Sequence, residues 1–169
     1  HYVVREALEV QAARLFATVA TPQERTELQR LAARVDALSA QPAGDRFLYL
    51  TLHEKLHRRI AEGAHCQPLC DAIEKNQVLA STWLCAPHKA PAAEPARRHQ
   101  ELVEVLVRDT PEAAAMAMGN HIRHALNNTL TRLESYFQLR ETSAATYTRG
   151  AKRRTPRPPG TPATKKRKS

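Results

Sequence analysis

The sequence predicts an all-α fold, an antiparallel bundle of about six to seven helices followed by a disordered basic tail. Three observations carry this reading. Glycine is scarce, with five in 169 residues, and β-branched runs are nearly absent, a composition that favours helices over strands. Apolar residues recur at spacings of three and four in successive stretches, with no period-two alternation and no hairpin signal. Proline-containing start signals then separate one stretch from the next.

The elements follow in order. Tyr2–Ala20 forms a first helix, with Val4, Leu8, Ala12, Leu15 and Val19 as its expected apolar stripe. Thr21-Pro22-Gln23-Glu24 supplies an N-cap and a first-turn proline for a second helix ending near Leu38. After a loop at Gln41–Gly44, a third helix covers about Asp45–Ala64, with Phe47, Leu50, Leu56 and Ile60 as apolar neighbours. Pro68 opens a fourth helix that runs to about Ala86, and the proline-rich stretch Pro87–Pro95 connects it to a fifth at about Ala96–Arg108. Thr110-Pro111-Glu112 repeats the earlier cap chemistry and starts a long sixth helix to about Leu139.

Charge divides the chain in two. The net charge is +9, and the segment from Arg140 to Ser169 holds ten Lys/Arg against one Glu. Residues 1–139 are therefore neutral, without the excess expected of a nucleic-acid-binding domain. The expected organisation is a helical domain at 1–139 and a disordered Lys/Arg/Pro-rich tail at 140–169, where little can be buried. Lys152, Arg153, Arg154, Lys165, Lys166, Arg167 and Lys168 are basic enough for salt-sensitive, non-specific phosphate contact. A merely solubilising role is the alternative.

Cys66, Cys70 and Cys85 cannot all pair, and no secretory signal precedes them, so a cytoplasmic setting is expected. No apolar run approaches the roughly 20 residues of a membrane span. The chain begins at His1 and enters a helix at once, which suggests that an upstream segment has been removed. Trp83 reads as core or interface packing. Cys66 and Cys70, beside His65, read as buried thiols in preference to a second zinc site.

Four of the eight histidines carry the chemistry. His53 and His57 are four apart in the third helix and therefore share one face. His99 and His121 lie in the fifth and sixth helices with apolar flanks at helical spacing, so both are expected to point inward. Imidazoles placed this way can share a divalent metal ion. The string from His53 to His57 also matches the H-E-x-x-H pattern of zinc proteases, which would make Glu54 a general base. The most specific extension of that pattern fails, because Ile60 and Gly63 stand where Gly and His are required. Glu74 is only a loose candidate for a downstream ligand. His124 follows His121 by three and is expected to face solvent.

From Tyr2 to about Leu139 the chain resembles the FCD domain, the C-terminal effector-sensing domain of FadR-type regulators in the GntR family. Val4-Arg5-Glu6-Ala7-Leu8-Glu9 is similar to that family's opening helix. The run from Leu52 to Ala61 is similar to its central LDxxFHxxIA helix, and His99–Asp109 with Ala114–His121 to its closing segment. The resemblance implies a FadR C-terminal-like bundle, a homodimer, and DNA binding through a winged helix-turn-helix absent from this chain. It implies metal ligands at His57, His99 and His121, with His53 where the family has Asp. An all-imidazole set shifts preference from Mn²⁺ toward Zn²⁺, Ni²⁺ or Co²⁺, so Zn or Ni is the expected cofactor; loss of the metal is the alternative. The resemblance further implies a small effector, an organic acid, met by Arg5 through charge-assisted bonds. The competing role for Arg5 is a surface ion pair with Glu9. The expected function is thus non-enzymatic effector sensing, with a small zinc-dependent hydrolase using Glu54 as the alternative.

Overall fold

The computed structural model describes residues 2–41, 45–84 and 96–151, excepting the side chains of 46, 77–84 and 132–151. Among the described residues there are six helices and no strand: α1 (Tyr2–Val19), α2 (Pro22–Ser39), α3 (Arg46–Glu62), α4 (Gln67–Leu84), α5 (Arg98–Arg108) and α6 (Pro111–Ala151). The start signals act as the sequence suggests. Thr21 and Glu24 form a reciprocal capping box ahead of α2, with Pro22 in the first turn. The Asp45 carboxylate accepts from the Leu48 N–H at 2.9 Å, and the Thr110 hydroxyl accepts from the Ala113 N–H at 3.2 Å. Each such cap contributes about 1 kcal/mol by satisfying an otherwise orphaned donor.

A first compact unit ends at Thr131, and the remainder of α6 belongs to a second. Within the first unit, α1 packs on α3, α4 and α5, while α2 packs on α3 and α5. The start of α6 is tied to α1 by the pair Glu6–Arg123 and by a 3.0 Å bond between the Tyr2 and Thr129 hydroxyls. Phe16, Leu28, Leu56, Ile60, Leu106, Met118 and Ile122 are fully buried. Burial of each such side chain contributes on the order of 1.5–3 kcal/mol. Ala12, Ala13, Ala32, Ala61 and Ala114 lie between them and let the helices approach closely. Arg25 closes one end of the bundle, donating to the carbonyls of Ala17, Ala20 and Val107 at 2.6–3.1 Å. Those acceptors end α1 and α5, so one guanidinium binds the free carbonyls of two helices.

Three details depart from expectation. The inward face of α1 is Arg5, Glu9, Ala12, Ala13 and Phe16, while Val4 and Val19 are exposed. The stripe is therefore turned by about one residue from the apolar pattern, because two polar side chains find buried partners described below. Phe47, at the start of α3, is 77% exposed and is no part of the core. Helix α6 continues to Ala151, past Leu139, since no proline or glycine interrupts 139–149. Residues 42–44 of the expected loop, Cys85, the connector 87–95 and the side chain of Trp83 fall outside the described residues. So do all seven basic tail residues from Lys152 to Lys168.

Gly63, which ends α3, is needed for space and not for its backbone angle. A Cβ there would stand 2.6 Å from two ring carbons of the fully buried Phe16. Gly63→Ala should therefore lower stability by about 1–3 kcal/mol through overpacking. Urea unfolding with an unchanged m-value is the measurement, and an unchanged midpoint would show that the contact is not tight.

Candidate metal centre

Helical spacing sets up the site and side-chain partners refine it. His53 and His57 project one turn apart from α3, His99 from the first turn of α5, and His121 from α6. His57, His99 and His121 are buried, and His53 is half-buried. The four rings cluster. His53 lies 4.6 Å from His57, 5.1 Å from His99 and 6.0 Å from His121, centroid to centroid. His121 lies 5.2 Å from His57 and 5.3 Å from His99. Tyr49 stacks on His53 at 5.8 Å and meets His99 edge-on.

Within the cluster, His53, His57 and His121 each offer a nitrogen, and these atoms lie within 4.8 Å of one another. The Nε2 atoms of His53 and His57 are 3.3 Å apart. Two ligands each about 2.0–2.1 Å from a tetrahedral zinc stand about 3.3–3.4 Å from each other, so this pair already has a suitable separation. His99 stands beside the trio and is not part of that close group. Its Nε2 is buried without a partner, and so is Nε2 of His121. Buried imidazole nitrogens left bare are costly in a protein interior, and a cation among them would satisfy them. The residues therefore fit a divalent ion.

Carboxylates from two other helices orient the rings. Glu9 of α1 binds Nδ1 of His57, and Asp36 of α2 accepts from Nδ1 of His99 at 2.6 Å. Each carboxylate fixes the tautomer that leaves Nε2 as the ligand atom, as is usual for metal-binding histidines. Burial pushes the Glu9 carboxyl up. The charges of His57 and Arg5 and their hydrogen bonds outweigh this and bring it down to about 2 from an ordinary 4.5. Burial likewise raises Asp36, but bonds from the His99 ring and from the Gln100 and His99 N–H groups hold it below its ordinary value.

Neither carboxylate was among the candidate residues read from the sequence. The available signal was that Glu9 shares a helical face with Arg5, Ala12, Ala13 and Phe16.

Arg5 does pair with Glu9, Nε to Oε1 at 2.6 Å, but the pair is buried within the bundle. Its Nη2 also reaches Nε2 of His57 at 3.4 Å, so one guanidinium borders the imidazole cluster. Glu54, by contrast, is exposed, and His124 is exposed as expected. Cys66 is half-buried and Cys70 buried, both as free thiols, and burial pushes the Cys70 thiol up. Among the described residues, His53, His57 and His121 form the metal-competent group, and neither cysteine belongs to it.

The described residues thus form an α-helical bundle with imidazoles converging on its buried centre. The family model for the FCD domain matches residues 1–124, and the chain belongs to that family. No curated protein and no solved structure gives a significant match.

Burial holds His53 and His121 well below the ordinary imidazole value, reinforced by neighbouring His57, His99, Arg5 and Arg98. His57 is also lowered by burial, against the opposing pull of Glu9. His53 and His121 stay neutral in the folded state and take up protons on unfolding. Stability of the metal-free protein is therefore retained above pH 6.5 and lost as the pH falls below it, by up to about 1.4 kcal/mol per pH unit for each such imidazole. Urea unfolding of chelator-treated protein at pH 7, 6 and 5 should show this slope, and His53→Asn should make it shallower. Identical slopes in the two proteins would mean that His53 is not kept neutral by the bundle.

Proposed function

We propose that this chain is the effector-sensing and dimerisation part of a FadR-type GntR regulator acting in the cytoplasm. A divalent metal, Zn or Ni, is held by His53, His57, His99 and His121. The observation that carries the reading is the convergence of these imidazoles, with Nε2 of His99 and of His121 buried and bare, at the centre of an FCD bundle. Neutral nitrogen donors leave the ion's full charge in place and suit Zn²⁺ or Ni²⁺ better than Mn²⁺. With Arg5 at its border, such a site attracts a small organic acid. One carboxylate could meet both the ion and the guanidinium through charge-assisted contacts.

In the full regulator, a winged helix-turn-helix outside this chain reads DNA as a homodimer. The basic residues Lys152–Arg154 and Lys165–Lys168 add non-specific phosphate attraction. Effector and metal favour one arrangement of the bundle, and that bias reaches the DNA-reading heads as a population shift. The hydrolase reading loses its base, since Glu54 is exposed while the imidazoles flanking it turn inward. Among the described residues, no helix is long and apolar enough to cross a membrane.

Elemental analysis of purified protein tests the reading, set beside a His57→Ala/His121→Ala double variant. The expected result is about one equivalent of Zn or Ni in wild type and none in the variant. Wild-type protein that takes up no metal even when it is supplied would overturn the metal-dependent part and leave Arg5 alone to bind an effector.

A further inference from the structure

Helix α5 begins without a cap of its own. The residue before it, Arg97, is in the left-handed region at φ 67° and makes no side-chain capping bond; its guanidinium pairs instead with Glu104 further along the helix at 2.9 Å. The orphaned donors of the first turn are instead bound from outside. Asp36, on α2, accepts from the His99 N–H at 3.1 Å and from the Gln100 N–H at 2.9 Å. The same carboxylate accepts from the His99 ring at 2.6 Å, with both side chains buried. One group therefore caps a helix from a distance of 63 positions and fixes the tautomer of that helix's imidazole.

We propose that Asp36 is a positioning residue that couples metal occupancy at the imidazole cluster to the docking of α5 on α2. The proposal rests on the metal reading given above. His99 stands beside the metal-competent trio with a bare Nε2, and a cation shared with that nitrogen would withdraw electron density from the ring and make Nδ1–H a stronger donor to Asp36. The strengthened bond would fix the position of the carboxylate that also accepts from the two backbone N–H groups. Coupling of this kind is reciprocal: the factor by which Asp36 improves metal affinity is the factor by which metal secures the α2–α5 junction. Glu9 performs only half of this task, orienting His57 while paired with Arg5 on its own helix. Of the two carboxylates that bind the clustered imidazoles, Asp36 is the one that also holds a helix end, and so gives the site a route to α5.

The test uses the whole chain with Zn²⁺ for affinity and hydrogen exchange, and Co²⁺ for its visible spectrum. In wild type, Zn²⁺ should slow exchange of the His99 and Gln100 amides by about tenfold or more. Asp36→Asn should weaken Zn²⁺ binding by about 10–100-fold, alter the Co²⁺ spectrum and abolish that protection at unchanged helicity. Asp36→Glu, which restores the carboxylate, should recover part of the affinity. Asp36→Asn protein that binds Zn²⁺ as wild type does, with the same Co²⁺ spectrum, would overturn the proposal while leaving the metal site standing. Should Asp36→Asn fail to fold, wild type decides: bound Zn²⁺ without protection at His99 and Gln100 overturns the coupling. Wild type that binds neither ion overturns the metal reading itself, and the coupling with it.

Discussion

The structure depends on how a small helical bundle satisfies polar groups in its own centre. Four imidazoles, two carboxylates and a guanidinium are drawn from α1, α2, α3, α5 and α6 into a space that apolar side chains elsewhere fill. An unpaired polar group there costs several kcal/mol, so each must find a partner across helices. Glu9 answers both Arg5 and His57, and Asp36 answers His99 and the first turn of α5. These bonds use up the Nδ1 positions of two rings and leave Nε2 of His99, with Nε2 of His121, buried without a partner. The unsatisfied remainder is a set of lone pairs, which is what a metal ion needs.

The surrounding packing serves that arrangement. Small residues along α1, α2, α3 and α6 allow helix axes to come close enough for side chains from three directions to meet. Gly63 takes this to its limit against Phe16, and Arg25 ties the ends of α1 and α5 at the far side of the same helices. The outcome is a packed apolar frame around a polar centre that includes the buried Arg5–Glu9 pair.

Membership of the FCD family and the geometry of the centre bear on function from different directions. The family supplies the expectation of a regulator's ligand-binding domain. The geometry supplies the chemistry: nitrogen donors, a bordering guanidinium, and two carboxylates that link the donors to separate helices. With imidazoles alone as donors, the proposed site would keep an ion's full charge, which would suit the anionic effector proposed above.

Much of this was legible in the sequence. The six helices, the Thr21 and Thr110 caps, the shared face of His53 and His57 and the inward direction of His99 and His121 follow from local rules, since spacing and capping depend on residues within a few positions. The inner face of α1 was not legible. Apolar periodicity points to Val4 and Val19, and a buried Arg5–Glu9 pair looks the same in sequence as an exposed one. Asp36 was equally hidden, because its partners His99 and Gln100 lie more than sixty positions away on another helix. The sequence by itself thus determined which helices form and which imidazoles can converge. Only the tertiary structure decided which carboxylates orient them, because a polar side chain's burial depends on a partner from a distant segment.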